Sequence, residues 1–334
     1  MTDFPIQDKF FDQLKKALPP NISIADELSD LLGISNDSAY RRMRGGTALS
    51  LDEAAIISRK YKISLDPVIS SALDNEVTFS YTSLSNKIEN FEKYLQRILE
   101  QLKMINQYDV KQITYSAEDI PMFYNFLYPE LSAFKLYYWY KSILTVPEFE
   151  GKKFDFNIIT KKNLELCHAI FNEYKKIPSI ELWNEETIST TLKQVQFCID
   201  TGLFVKKEDA IRVISQIKEM IQLVQKQAGL SSKTEEAIGQ EKNFTLYSTE
   251  VMMSTNSILI GIGELKFAYL SFNTVNSMTT NNVYYCNEME QWLNNMIKKS
   301  TLISGVAEKQ RFQFFNTIYK RIDALMDAAG NYHH

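Results

Sequence analysis

The sequence predicts a mainly α chain in three parts. These are a five-helix N-terminal domain over residues 1–75, a linker with a long amphipathic helix over 76–108, and a large helical region over 109–330. The last carries a small antiparallel β-sheet near residues 244–273. Three observations point there. Apolar residues recur at helical spacing along most of the chain, and period-two runs gather between Phe244 and Phe272. Of 334 residues 45% are hydrophobic and the net charge is only −4, which supplies a large core and excludes disorder as the main state. Gly 11 and Pro 8 are too few for a collagen-like or linker-like chain, and they stand between the periodic segments as punctuation.

The N-terminal elements follow in order. Phe10, Phe11, Leu14, Ala17 and Leu18 share a helical face, and Pro19-Pro20 stops that helix. Ser23 caps a second helix bearing Ile24, Leu28, Leu31 and Leu32. Gly33 ends it, because glycine takes positive φ without a Cβ clash. Ser35 caps a third helix, Asn36 to Arg44, closed by Gly45-Gly46. Ser50 and Glu53 form a capping box that opens a fourth helix with Leu51, Ala54, Ala55 and Ile57. A fifth helix runs from Asp66 to Leu73, with Pro67 in its first turn.

Residues Ala25 to Gly45 carry Leu28, Leu32, Gly33, Ile34 and Ala39 at fixed offsets. In this the run resembles the helix-turn-helix of phage-repressor-type (Xre-like) transcription regulators. Leu49 to Ala54 and Ile63 to Asp66 look like that family's fourth and fifth helices. The resemblance is confined to the N-terminal domain and implies double-stranded DNA as a partner. Ser29 stands where the family usually has alanine. Arg42 stands where an aliphatic residue usually packs inward, so Met43 is expected to supply that contact and leave Arg42 near Asp26 or Asp30.

The residues make a physical case of their own. A helix entering the major groove needs polar and cationic side chains outside and small apolar ones behind. Asn36, Asp37, Tyr40, Arg41 and Arg44 fall on one face, with Ala39 and Met43 opposite. Arg59, Lys60 and Lys62 form a second basic cluster suited to phosphate. Residues 1–75 nevertheless hold nine Lys or Arg against eleven Asp or Glu, a net charge of −2. That balance predicts weak binding by one copy and a need for dimerisation.

Residues 75–83 read as an extended linker. Leu84, Ile88, Phe91, Leu95, Ile98, Leu102 and Ile105 then follow at spacings of 4, 3, 4, 3, 4 and 3, a heptad seam. Paired between two copies, the seam would set two recognition helices on one face of DNA. A helix packed inside its own chain produces the same spacing.

In the remainder, Lys111 to Tyr115 reads as one short strand. Helices are expected at Pro129–Leu144, Lys161–Lys175, Glu185–Asp200 and Glu208–Ala228, with a surface loop over 231–243. Phe244 to Met253, Ser257 to Ile262 and Leu265 to Phe272 read as strands, the last two joined by a hairpin turn near Gly263. Helices near Asn287–Lys299 and Val306–Ala329 close the chain, the latter with Phe312, Phe315, Ile318, Ile322 and Leu325 on one stripe.

Chemistry is sparse. Cys167, Cys198 and Cys286 form no CxxC and read as buried thiols. His168 neighbours Cys167, but adjacent helical residues point about 100° apart, which argues against a nucleophilic pair. No P-loop, nucleophile elbow, HExxH or zinc-ligand spacing is present, and no metal or cofactor is expected. Glu185-Glu186, Glu208-Asp209 and Glu235-Glu236 read as charges favouring helix N-termini. The aromatic run from Phe123 to Tyr140 suits a core, a ligand pocket or an interface.

These features predict a sequence-specific DNA-binding transcriptional regulator, not an enzyme, with a C-terminal region for dimerisation or ligand sensing. Arg41 and Arg44 are assigned to guanine edges or phosphates, Asn36 to adenine, Asp37 to cytosine amines and Tyr40 to van der Waals contact. Double-stranded DNA, a second copy and a small-molecule effector are the expected partners, with no membrane. Two other readings stand beside this one: an adaptor whose N-terminal domain contacts protein, and an enzyme in the C-terminal region using carboxylates unpaired in sequence. Met1 to Pro5 lacks the basic start and apolar stretch of a secretory signal, which predicts a cytoplasmic location.

Overall fold

The computed structural model describes residues 5–18, 22–61, 63, 65, 77–234 and 242–330. The chain divides into two units, Met1–Thr78 with Asn282–Tyr284 and Phe79–Asn281 with Tyr285–His334. In the first, α1 (Pro5–Ala17), α2 (Ile24–Leu32), α3 (Asn36–Met43) and α4 (Leu51–Tyr61) enclose Phe10, Phe11, Leu14, Ala25, Leu28, Ala39, Ile57 and Ile63. The fifth helix expected from Asp66 lies outside the described residues.

Local chemistry fixes each joint of this unit. The Ser23 hydroxyl accepts from the Asp26 N–H at 3.4 Å, and Gly33 leaves α2 with φ 65°. Ser35 accepts from the Ser38 N–H at 3.3 Å. Glu53 N–H donates to Ser50 Oγ at 3.1 Å while Ser50 N–H donates to Glu53 Oε2 at 2.9 Å, a reciprocal capping box. Ser29 donates its hydroxyl to the Ile34 carbonyl at 2.6 Å, tying the α2–α3 turn in a way alanine could not. Gln7, itself buried, donates to the Arg42 and Thr47 carbonyls at 2.7 and 2.9 Å and accepts from the Leu49 N–H at 2.7 Å, latching α1 to the end of α3.

The second unit overturns the expected fold class. In place of a mainly helical region with a small antiparallel sheet near 244–273, it holds one eight-stranded mixed sheet covered by helices, an α/β arrangement. The strands are β1 (Ser80–Tyr81), β2 (Lys111–Ser116), β3 (Ser179–Trp183), β4 (Phe244–Ser248), β5 (Ser257–Ile262), β6 (Leu265–Phe272), β7 (Asn276–Thr280) and β8 (Thr301–Leu302). Their order in the sheet is β1-β7-β6-β5-β2-β3-β4-β8. β2, β3 and β4 run parallel, with Ile113 opposite Ser179 and Ser179 opposite Phe244. The remaining pairs are antiparallel. Parallel neighbours need helical crossovers. Those here are α6 (Met122–Asn125), α7 (Pro129–Tyr138) and α8 (Lys161–Tyr174) between β2 and β3, then α9 (Ser189–Asp200) and α10 (Lys207–Leu230) between β3 and β4.

Both faces of the sheet are covered. Ile113, Tyr115, Ile260 and Ile262 join the large core with α5 (Ile88–Asn106) and the crossover helices. On the opposite side of β5 and β6, Leu259 and Ala268 pack against Cys286, Met289 and Leu293 of α11 (Val283–Lys299). The closing helix α12 (Glu308–Gly330) buries Phe314, Phe315, Ile318, Ile322 and Leu325, and leaves Phe312 exposed.

The strands missed in sequence are short or polar. β7 reads Asn-Ser-Met-Thr-Thr, and β1 and β8 have two residues each. β3, at the centre of the parallel core, reads Ser-Ile-Glu-Leu-Trp, with a glutamate where an apolar run is expected. β4 also stops at Ser248, short of Met253. The surface loop expected over 231–243 is corrected too: Ser231, Ser232 and Lys233 are buried.

The dimer seam is likewise used inside the chain. Phe91, Leu95, Leu102 and Ile105 are buried in the unit's own core, and Leu84, Ile88 and Ile98 pack against it half-buried. Tyr94 and Leu99, which lie off the seam, are buried as well. The apolar face is therefore wider than a two-per-heptad stripe, as suits a helix lying on a sheet.

Candidate nucleic-acid interface and a second-unit cavity

α3 stands with Ala39 fully buried and Met43 half-buried against the small core, and turns its other side outward. Asn36, Asp37, Tyr40, Arg41 and Arg44 are all exposed, as are Arg59 and Lys60 at the end of α4. The arrangement agrees with helical spacing: a small buried residue brings the helix backbone close to its scaffold and leaves long polar side chains free.

Several of these groups already have partners. Arg41 Nε lies 3.1 Å from Asp37 Oδ2, with both side chains largely exposed. Asn36 Nδ2 donates to Asp26 Oδ1 at 3.0 Å. Arg44 lies over the Tyr40 ring, 5.8 Å from its centre. Lys60 Nζ lies 2.9 Å from Glu27 Oε2, and this contact raises the lysine pKa to about 12. Arg44 and Arg59 form no ion pair among the described residues, and Lys62 lies outside them. Arg42 departs from expectation. It pairs with Glu53, at 2.7 and 3.1 Å, and not with Asp26 or Asp30, and it donates to the Ser38 carbonyl at 3.2 Å. The pair joins the end of α3 to the start of α4. Exposed ion pairs of the Asp37–Arg41 kind contribute at most about 1 kcal/mol, so a nucleic acid can replace the carboxylate at small cost.

In the second unit a cavity of about 200 Å³ lies between α5 and the β2-β5-β6-β7 part of the sheet. Ile98, Leu102, Ile105, Ile113, Ile258 and Ile260 form apolar walls, and Phe123 and Trp139 of the aromatic run also line it. One end is polar. There β2 has just ended, and Asp119 accepts from the Ile120 N–H at 2.9 Å and the Thr191 hydroxyl at 3.1 Å. Asn256 Oδ1 accepts from the N–H groups of Glu118 and Asp119 at 2.8 and 3.1 Å and holds their turn. Lys135, only 1% exposed, donates to Thr191 Oγ1 at 2.7 Å and Gln194 Oε1 at 2.9 Å, with Asp119 Oδ2 at 3.7 Å. Burial pulls its pKa down, partly offset by Asp119. The position agrees with the rule that ligands gather beyond the carboxyl ends of parallel strands.

A second buried polar cluster sits beneath β3. Glu181 Oε1 accepts from Tyr124, Tyr174 and Ser179 hydroxyls at 2.9, 2.5 and 3.0 Å, and Oε2 from the Trp183 indole at 3.0 Å. Lys233 donates to the Ile177 carbonyl at 3.0 Å and lies 3.7 Å from the centre of the Tyr174 ring. Burial pulls this lysine down to about 7.

The remaining candidates are accounted for structurally. Cys167, Cys198 and Cys286 are free and buried, and burial raises all three thiol pKa values. His168 is exposed while Cys167 is buried, so the two point apart. Glu186 binds Arg321 and the Ser189 hydroxyl before α9, while Glu208 and Asp209 occupy the first turn of α10. Glu235-Glu236 lies outside the described residues. Among the described residues no helix is long and apolar enough to cross a membrane.

Sequence reasoning missed Asp119, Lys135, Tyr115, Asn125 and Asn256. One signal was present: Lys135 is the sole charged residue between Leu131 and Tyr140, a run otherwise rich in aliphatic and aromatic residues. No family model, curated protein or solved structure matches this chain.

Proposed function

We propose that the chain is a sequence-specific DNA-binding transcriptional regulator whose second unit senses a small molecule. The observation that carries the first half is the outward face of α3. Four exposed side chains of the types that pair with base edges, Asn36, Asp37, Arg41 and Arg44, stand with Tyr40 on a helix whose inner side is closed by Ala39. Arg41 and Arg44 address guanine edges or phosphates, Asn36 adenine, Asp37 cytosine amines, and Tyr40 makes van der Waals contact. Arg59 and Lys60 reach phosphate. The resemblance of residues 25–45 to phage-repressor-type regulators points the same way. Half-site symmetry calls for two copies, joined by a surface other than the α5 face.

Fluorescence anisotropy with labelled duplexes over a salt series tests this. Arg41→Ala is expected to weaken the preferred duplex by about 1–3 kcal/mol and to relax its sequence preference. Arg59→Ala is expected to weaken all sequences alike and reduce the salt slope by about one. Unchanged binding in both variants rejects the assigned face. The net acidic charge of residues 1–75 favours a second reading, an adaptor that contacts protein, and salt-insensitive failure to bind any duplex would select it.

A further inference from the structure

We infer that the cavity beside β2 binds a small organic carboxylate with an alkyl or aryl body. This deepens the reading of the second unit as a sensor and rests on it only for the consequence to DNA binding, since occupancy is measurable without DNA. The head group follows from the donors that the cavity presents. The Tyr115 hydroxyl, on a residue 4% exposed, lines it and has no hydrogen bond among the described residues. Asn125, 1% exposed, lines it too, and its Nδ2 makes no hydrogen bond among them either. Asn256 Oδ1 is taken by the Glu118 and Asp119 N–H groups, which leaves Nδ2 as the free end of that amide. Lys135 gives two N–H groups to Thr191 and Gln194. Its third has no acceptor within hydrogen-bond distance, since Asp119 Oδ2 is 3.7 Å away.

Charge points the same way. The charged side chains lining the cavity are Arg97, Lys135 and Asp119, two cations to one anion. Asp119 is already answered: Oδ1 accepts from the Ile120 N–H and the Thr191 hydroxyl, and Lys135 faces Oδ2. Arg97 is not. It is exposed at the mouth, donates to Thr82 Oγ1 at 2.6 Å and forms no ion pair among the described residues. Strand register sets it at the same end. Ser116 lies opposite Ser257, Ser257 opposite Leu270, Leu270 opposite Met278 and Met278 opposite Tyr81, so Thr82 stands just beyond the line where β2 ends. A carboxylate accepts from several donors at once, and its bonds are strengthened by charge. An ammonium head would leave these donors unpaired and meet Lys135 and Arg97 as like charges. Isoleucine walls and the Phe123 and Trp139 rings suit an alkyl or aryl body. The volume of about 200 Å³, below the roughly 300 Å³ of drug-sized sites, limits that body to one ring or a short chain.

Phenylacetate, hexanoate, phenylethylamine and hexylamine are titrated into the full chain without DNA by isothermal calorimetry. The two carboxylates are expected to bind saturably, and the amines at least about tenfold more weakly. Tyr115→Phe removes a hydroxyl that has no partner in the protein. It is expected to hold the thermal midpoint while weakening both carboxylates by roughly tenfold. Arg97→Gln is expected to weaken them by about threefold and to flatten the salt dependence of binding. Ile258→Phe, which fills the lumen, is expected to abolish binding. Its fold is checked by circular dichroism, and Ile98→Phe serves if it fails that check. Equal or tighter binding of the amines overturns the proposal. So does unchanged carboxylate affinity in Tyr115→Phe or in Arg97→Gln, unchanged binding in a folded lumen-filling variant, or saturable binding by neither carboxylate. Duplex anisotropy on the same protein is a separate readout, so failure here and failure of the DNA reading are distinguishable.

Discussion

The two units treat charge in opposite ways. In the first, Asp37–Arg41 and Glu27–Lys60 sit at the surface, each pair with water as an alternative partner. In the second, Glu181, Lys135 and Lys233 are 0%, 1% and 4% exposed, and each is tied to hydroxyls, amides, carbonyls or a ring. Exposed pairs hold little energy and exchange readily, which suits a surface that lends its cations to another polyanion. Buried groups cannot exchange without exposing an unpaired charge or donor, so they fix the architecture around them.

The comparison breaks first at Glu181. Glu181→Leu leaves the Tyr124, Tyr174 and Ser179 hydroxyls and the Trp183 indole without their acceptor and is expected to cost about 3–5 kcal/mol. Glu181→Gln keeps an acceptor and is expected to cost less. Urea unfolding midpoints decide, and a loss under about 1 kcal/mol for Glu181→Leu would mean that the cluster does not hold the sheet.

Lys233 gives the next effect, and it depends on pH. The folded lysine titrates at about 7, against 10.5 for an ordinary lysine. Below pH 7 both states carry the proton, and folding bears the full cost of burying the charge. Between pH 7 and 10.5 the unfolded chain binds more protons than the folded one, so this group's contribution to stability rises with pH. Lys233→Met removes that rise. The stability of the variant minus that of the parent is expected to shrink by a few kcal/mol from about pH 6 to about pH 9. A difference that stays flat across that range would show that Lys233 keeps its proton when buried.

Smaller effects belong to the first unit. Glu53→Ala removes both the Ser50 capping box and the Arg42 pair, and is expected to cost about 1–2 kcal/mol in thermal unfolding. Arg41→Ala is expected to change stability by less than about 0.5 kcal/mol, although it is expected to matter most for duplex binding. A large stability loss in Arg41→Ala would make that residue structural and sharpen the contrast in the wrong direction for a reading face.

Legibility in the sequence divides along the same line. Caps, turns and small buried residues act over a few positions, so Ser23, Gly33, Ser35, Ala39 and the Ser50–Glu53 box could be read directly. The mixed sheet could not. Its parallel centre depends on Ser179–Trp183 meeting strands more than sixty residues away in either direction, and Glu181 breaks the apolar run that would have marked β3. The spacing from Leu84 to Ile105 misled because a helix lying on a sheet and a helix paired in a coiled coil share a period near 3.5 residues. The buried Tyr94 and Leu99 off the seam were the distinguishing sign. The cavity's polar end draws on β2, its following turn, α6, α7 and the segment before β5, so no local pattern could assemble Asp119, Asn125, Lys135 and Asn256.

The central claim is that the outward face of α3 reads base sequence. Selection from a pool of randomised duplexes by the purified full chain, with a parallel selection by the Arg41→Ala/Arg44→Ala double variant, tests it most directly. The account predicts enrichment of one motif with two symmetric half-sites about ten base pairs apart by the parent chain, and loss of that motif by the folded variant. No enriched motif with the parent chain, or the same motif recovered with the variant, would contradict it.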